Sequence, residues 1–364
     1  MLPLLTLSGS PQAQGFRHGQ ALKREIRHNL RLYFRRFALE IQLPAAEVLR
    51  RAALYLEALE RLHPAYVAGI KGIADGSGAS LAEIAALNVR YEILYDAFGE
   101  VRDGVRIGVD GCTSFALTPE KTGGPLLLGQ NWDWLPEVEG AVLHLIHNDA
   151  PDVLGFTEAG IFGPKLGLNS AGLGLVINGM TSTDDDWAKL ALPFHARCYD
   201  ALRARDVDAA SRAVLKTPRA CSGNFMLAAP PNTVRNLEVA PLTHGSVEPE
   251  HGVLVHANHF TTAAVEDPNL EEHQGSVIRE RQLSGLLERG TVGLEEVQAY
   301  LRDGDNAPDA LCRYPDPDKP DYETYATVVS AVMNLSEGVL YISDGPPDRA
   351  PYQRFVLEPA REPV

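Results

Sequence analysis

The feature that most constrains this 364-residue chain is a change of hydrophobic period near residue 110. Up to there, apolar residues recur at helical spacing; beyond it come short apolar runs cut by Gly, Pro and Asp. Residues 1–100 therefore read as helical. From Gln12 to Glu40, Phe16, Leu22, Ile26, Leu30, Tyr33, Phe34 and Phe37 mark one face, with charged residues between them. Pro44 opens a helix running to Leu62, and Pro64 suits the first turn of a third. Ser80-Leu81-Ala82-Glu83 is a capping box for a fourth, carrying Ile84, Leu87, Val89 and Ile93. The aromatic residues of these helices are expected in the core.

Strands are expected at 113–117, 125–129, 142–146, 174–178, 224–227, 253–255, 326–333, 339–343 and 355–357. Helices are expected between them at 192–205, 207–215, 277–287 and 294–301. The stretch 303–324, rich in Asp, Pro and Tyr, reads as a long loop, and such loops often border active sites. Strands and helices in this order, wrapped by N-terminal helices, give an α+β layered architecture.

At the junction stands Asp110-Gly111-Cys112-Thr113-Ser114. If the Gly111–Cys112 bond broke, Cys112 would carry both a thiol nucleophile and an α-amine, whose pKa near ~7.7–8.0 suits a base at neutral pH. Gly111 has no side chain to block attack on its carbonyl. Asp-Gly is equally a plain turn signal, and a free cysteine equally a small buried hydrophobe.

Further motifs follow: 129–134 (Gly-Gln-Asn-Trp-Asp-Trp), 157–163 (Thr-Glu-Ala-Gly-Ile-Phe-Gly), 167–174 (Gly-Leu-Asn-Ser-Ala-Gly-Leu-Gly) and 255–259 (Val-His-Ala-Asn-His). In this order and spacing the chain resembles the acyl-coenzyme A:isopenicillin N acyltransferase family, the C45 branch of the N-terminal nucleophile hydrolases. The resemblance implies an αββα four-layer sandwich with an N-terminal helical segment, and autocatalytic cleavage between Gly111 and Cys112. The chain would then divide into a helical α segment, 1–111, and a catalytic β segment, 112–364, which stay associated. Cys112 maps onto the nucleophile, Asp133 onto the essential aspartate and Asn258 onto the oxyanion donor. Asp110, Thr113, Ser114, Asn131, Glu158 and Arg313 are possible supporting residues. Where one acyltransferase of the family carries an Arg-Gly pair before the late strand, this chain has Thr324-Tyr325, so that charge is missing or supplied from elsewhere, with Arg313 the candidate. Trp132, Trp134, Phe156 and Phe162 could line an acyl pocket, though strand aromatics are as often core. The expected activity is hydrolysis of a small linear amide, such as an N-acyl amino acid or aminoacyl-amine, through a thioester. The alternatives are acyl transfer to an amine and an unprocessed binding domain.

Composition narrows the partners. Residues 1–111 hold 14 Lys/Arg against 12 Asp/Glu, and 112–364 hold 19 against 36. An acidic catalytic segment lacks the basic footprint that nucleic acid or an anionic membrane requires. Arg27, Arg31, Arg35 and Arg36 are expected on a solvated helix face near acidic neighbours. No run approaches the ~20 apolar residues of a membrane span, and the N-terminus lacks the pattern of a secretory leader. Four cysteines without paired spacing suggest a reducing, cytoplasmic setting. The pairs His144/His147 and His256/His259 lack a third ligand of suitable spacing, so no metal and no cofactor are expected.

Overall fold

In the computed structural model, residues 1–98, 101–102, 105–106, 111–262, 274–320 and 324–357 are described. Strand β1 (Leu4–Leu7) precedes helices α1 (Pro11–Ala21), α2 (Lys23–Leu39), α3 (Ala45–Leu62), α4 (Pro64–Ser77), α5 (Leu81–Asn88) and α6 (Arg90–Phe98). A short hairpin, β2 (Val101–Arg102) and β3 (Val105–Arg106), comes before β4 (Thr113–Leu117) and α7 (Pro119–Thr122). Then come β5 (Leu127–Trp134), β6 (Gly140–Leu145), β7 (Val153–Glu158), β8 (Leu166–Asn169), β9 (Gly174–Gly179), α8 (Phe194–Leu202) and α9 (Val207–Leu215). The remainder is β10 (Gly223–Ala229), β11 (Thr233–Val239), β12 (His244–Val247), β13 (Val253–His256), α10 (Gln274–Leu287), α11 (Leu294–Tyr300), β14 (Ala326–Asn334), β15 (Val339–Ile342) and β16 (Gln353–Val356).

Among the described residues these strands build an eight-stranded sheet, β1-β6-β7-β8-β9-β10-β11-β12, and a six-stranded sheet, β13-β4-β5-β14-β15-β16. The two stack face to face where β4 and β5 meet β9 and β10. Helices α10 and α11 cover the outer face of the six-stranded sheet, and α8 and α9 that of the other. This is the αββα sandwich. Strand β5 is buried along its whole length because both of its faces are covered. On one side lies a core of Phe115, Leu117, Leu127, Leu283 and Leu301 under α10 and α11. On the other lies the larger core shared with the second sheet and the N-terminal helices.

The N-terminal segment departs from the helical expectation in three places. Leu4–Leu7 is a strand, paired in parallel with β6 (Leu4 opposite Val142), and so short an edge strand leaves no periodicity to read. The helix expected from Gln12 to Glu40 breaks at Leu22, which stays buried, so the apolar stripe runs through the break and conceals it. The fourth helix likewise ends at Asn88 and resumes at Arg90, with Val89 buried between. The Ser80/Glu83 capping box forms as expected. Helix α1 crosses α4 so closely that a Cβ on Gly15 would lie 2.1 Å from the Gly69 carbonyl oxygen, so only glycine fits there.

Candidate active site

Cys112 immediately precedes β4, an interior strand of the six-stranded sheet. The β4–β5 pairing sets Thr113 opposite Asn131, which carries Asp133 past Gly111 and Cys112. The Cys112 thiol faces the Asp133 backbone carbonyl at 3.8 Å. A Cβ on Gly111 would stand only 3.0 Å from that same oxygen, so the close approach favours glycine. Strand β14 has a one-residue irregularity here, pairing Thr327 with Asp133 but Val329 with Trp132. Such bulges re-aim side chains. Thr327 donates its hydroxyl to Asp133 Oδ1 at 2.7 Å and accepts the Arg313 N–H at 3.0 Å.

Asn258 follows β13 and holds the residue before the cysteine. Its Oδ1 accepts the Gly111 N–H at 3.2 Å and Arg279 Nη2 at 2.9 Å, while its Nδ2 donates to the Gly179 carbonyl at 2.9 Å. A guanidinium has only donors, so Arg279 fixes which side of the amide is oxygen and leaves one Nδ2 hydrogen beyond the Gly179 bond. The Cys112 carbonyl accepts from Asn178 Nδ2 at 3.3 Å, and Asn178 Oδ1 receives Ser114 Oγ at 2.7 Å and Asn224 Nδ2 at 2.9 Å. Thr113, on the opposite face of β4, accepts Arg279 Nε at 3.2 Å.

Cys112, Asp133 and Asn258 line one cavity, together with Gly111, Trp132, Trp134, Arg90, Tyr91, Tyr95, Lys165 and His195 among others. It measures about 400 Å³ including its mouth, yet only about 20 Å³ admits the centre of a water molecule, room for about one water. Burial pushes the Cys112 thiol up to about 12, with the Asp133 charge adding to the effect. One wall is a charge cluster. Glu158, at the end of β7, is hydrogen-bonded by Arg90, Tyr33 and Lys165, the last at 2.5 Å, and Trp134 Nε1 donates to Tyr33 Oη at 2.7 Å. Burial opposes ionisation of Glu158, but the two cations overcome it and hold its pKa below the usual carboxylate range.

The other candidate residues are placed as follows. Phe156 and Phe162 are not among the residues that line the Cys112 cavity: Phe156 tilts against Trp132 with centroids 5.7 Å apart, and Phe162 packs on Tyr66 and Tyr199. Tyr91 and Tyr95 are buried in the core, as expected of aromatics on these helices, and also line the cavity. Asn131 turns to the other face of its sheet and donates to the Leu301 and Leu311 carbonyls at 2.9 and 2.8 Å, a structural role. The Arg313 side chain bonds the Pro308 carbonyl at 3.1 Å and is not among the residues that line the cavity, while its backbone N–H bonds Thr327, which in turn holds Asp133. Arg36 is buried and paired with Glu40 and Tyr325, not on a solvated face. Asp110 lies outside the described residues. His256 pairs with Glu238 and His259 with Glu280, each at 2.9 Å, and no metal-holding cluster occurs among the described residues. No described helix is long and apolar enough to cross a membrane.

Sequence reasoning missed Arg90, Lys165, His195, Asn178 and Arg279. Lys165 alone carried a signal: a single charge in Gly163-Pro164-Lys165-Leu166-Gly167, inside a glycine-rich, apolar stretch.

The four-layer arrangement of two stacked sheets between helices is the one the sequence resemblance implies. The chain belongs to the acyl-coenzyme A:6-aminopenicillanic acid acyl-transferase family, whose model matches residues 119–348. It is 28% identical over 319 residues to the 40 kDa form of acyl-coenzyme A:6-aminopenicillanic-acid-acyltransferase from Emericella nidulans, covering 85% of this chain and 84% of that protein. Among solved structures it is similar to a mutant of conjugated bile acid hydrolase from Clostridium perfringens, with TM-score 0.46 and 13% identity over 68% of this chain and 98% of the other. It is likewise similar to the Caenorhabditis elegans orthologue of N-acylethanolamine-hydrolyzing acid amidase, with TM-score 0.46 and 15% identity over 68% of this chain and all of the other.

Proposed function

We propose that this chain cleaves itself between Gly111 and Cys112 and then works as a cysteine amidohydrolase on a small linear amide, an N-acyl amino acid or aminoacyl-amine. The observation that carries the reading is the clamp on the two residues flanking the scissile bond. Asn258 holds the Gly111 N–H, Asn178 holds the Cys112 carbonyl, and the thiol and Asp133 share one cavity with Asn258. In turnover, the Cys112 sulfur attacks the substrate carbonyl, its α-amine accepts and returns the proton, and the remaining Nδ2 hydrogen of Asn258 serves the oxyanion. Cleavage also changes the electrostatics: an ammonium beside the sulfur favours the thiolate, against the burial that raises the thiol in the intact chain.

Segments 1–111 and 112–364 stay together after cleavage, because β1 is hydrogen-bonded along β6 and α2 to α6 share the main core. The cavity as closed holds about one water, so substrate entry requires side chains to move. The family's name gives specific support to a second outcome, acyl transfer to an amine. Intact-mass measurement tests the first step: wild type yields two fragments and Cys112→Ala stays one chain. With amide substrates the mature protein releases free acid without coenzyme A, and an added amine captures only a minority of the acyl group. Wild type that never splits overturns the reading, and majority capture by the amine makes the protein a transferase.

A further inference from the structure

The α-amine that serves turnover does not exist until the Gly111–Cys112 bond is broken, so maturation needs a base from elsewhere in the cavity. We propose that Lys165 is that base, taking the Cys112 thiol proton directly or through the one water the cavity admits, an assignment that rests on the processing reading above.

Lys165 stands just before β8, its N–H donating to the Phe156 carbonyl at 2.9 Å, and is buried. Its Nζ lies 2.5 Å from Glu158 Oε1 and 2.9 Å from the centroid of the Trp132 ring, and it shares the cavity with Cys112. Glu158 is paired independently with Arg90, which bonds both of its oxygens, and with Tyr33. One cation therefore suffices for that carboxylate. Lys165 is the surplus charge of the cluster, able to lose its proton without leaving Glu158 uncompensated, whereas Arg90 keeps its proton throughout. The groups that face it are Glu158 from β7, Arg90 from α6, His195 and Cys198 from α8, and Cys112 at the head of β4, with Asp133 across the cavity on β5. Burial first, then Arg90, lower Lys165 to about 7 against the upward pull of Glu158. His195, pushed well below its ordinary value by burial and Arg90, is too weak a base to compete.

Neutral Lys165 takes the thiol proton, and the thiolate attacks the Gly111 carbonyl carbon, forming the S–C bond and moving the carbonyl pair onto oxygen. The ammonium of Lys165 returns the proton to the Cys112 nitrogen as the C–N bond breaks, leaving a thioester and a free α-amine. Water then hydrolyses the thioester, giving a Gly111 carboxylate and the regenerated thiol. Protons and electrons balance with no further reactant.

The test follows fragment formation by intact mass after cell-free synthesis of the full chain at pH values from about 5.5 to 9. The wild-type rate should rise about tenfold per pH unit below about 7 and level off above it. Lys165→Arg keeps a cation but cannot release a proton, so it and Lys165→Met should mature ~100-fold or more slowly and lose the plateau. A wild-type rate that is flat, or that climbs through pH 9 without levelling, overturns the assignment, and this measurement needs no variant to fold. Lys165→Arg maturing at the wild-type rate overturns it as well. Those results leave processing intact, whereas a wild-type chain that never cleaves removes both readings.

Discussion

Glu158 and Glu238 lie in the same eight-stranded sheet, both fully buried, and their ionised forms are favoured by different means. Glu158 is met by two cations, Arg90 and Lys165. Glu238 is met by the backbone N–H and hydroxyl groups of Thr261 and Thr262 at 2.6 to 2.9 Å, and by His256 Nε2 at 2.9 Å. Burial would raise Glu238, yet His256 and the threonine hydroxyls draw it down to about 2. The difference lies in what each delivers to the cavity. Glu158 brings formal charge, with Arg90 and Lys165 both among the lining residues. Glu238 ties down the chain on either side of Asn258, gripping His256 before it and Thr261 and Thr262 after it.

The largest effect is expected where charge compensates charge. Glu158→Gln leaves the buried Arg90 cation facing an amide and removes the charge that holds the Lys165 proton, and breaking a buried pair from one side costs about 3–5 kcal/mol. Denaturant unfolding should register that loss, or the chain should fail to accumulate. Glu238→Gln swaps one acceptor oxygen for an N–H₂ facing donors that already need an acceptor, a cost of about 1–3 kcal/mol. Equal losses in the two variants would erase the distinction between clamping by cations and clamping by hydrogen bonds.

Titration sharpens the same contrast. The folded pKa of Glu238, about 2, lies below the ordinary 4.5, so its contribution is fully present above about 4.5 and fades as pH falls toward 2. The stability gap between wild type and Glu238→Gln should therefore narrow across that window, measured by urea unfolding at stepped pH. A gap that stays constant from pH 6 to 3 would mean the carboxylate charge is not what holds the two threonines.

The contrast between these glutamates also explains what could be read in advance. Thr113–Leu117 and Val207–Leu215 form as the sequence suggests, because turn residues and local period bound them on both sides. Strands β7 and β8 went unread, since Gly155 and Gly167 interrupt the apolar alternation that would have marked them. Cys112, Asp133 and Asn258 were legible through motif order, and the fold does bring them to one cavity. The charge cluster was not, because Arg90 and Glu158 are 68 positions apart in the chain and meet only in the folded structure. Trp132 and Trp134, two apart on one strand, share a face and line the cavity. Phe156 and Phe162 lie in comparable motifs, but nothing local tells which layer each will face.

The smallest expected effect concerns His18, which joins the N-terminal helices to the turn just beyond Glu158. Its Nε2 accepts the Gly160 N–H at 3.1 Å, so the neutral ring is the form that fits. Burial lowers it to about 4, below the 6.5 of an exposed histidine. Protonation is then easier in the unfolded chain, so the native state loses stability as pH falls from about 6.5 toward 4, while near pH 7 the ring is mostly neutral in both states. His18→Gln keeps an acceptor for Gly160 without the titration, and should match wild type near pH 7 while falling less in stability by pH 5. Because this window lies above that of Glu238, urea unfolding at pH 5 and at pH 3 separates the two groups. A His18→Gln chain that loses as much stability as wild type between pH 7 and 5 would assign the acid sensitivity of this region to another group.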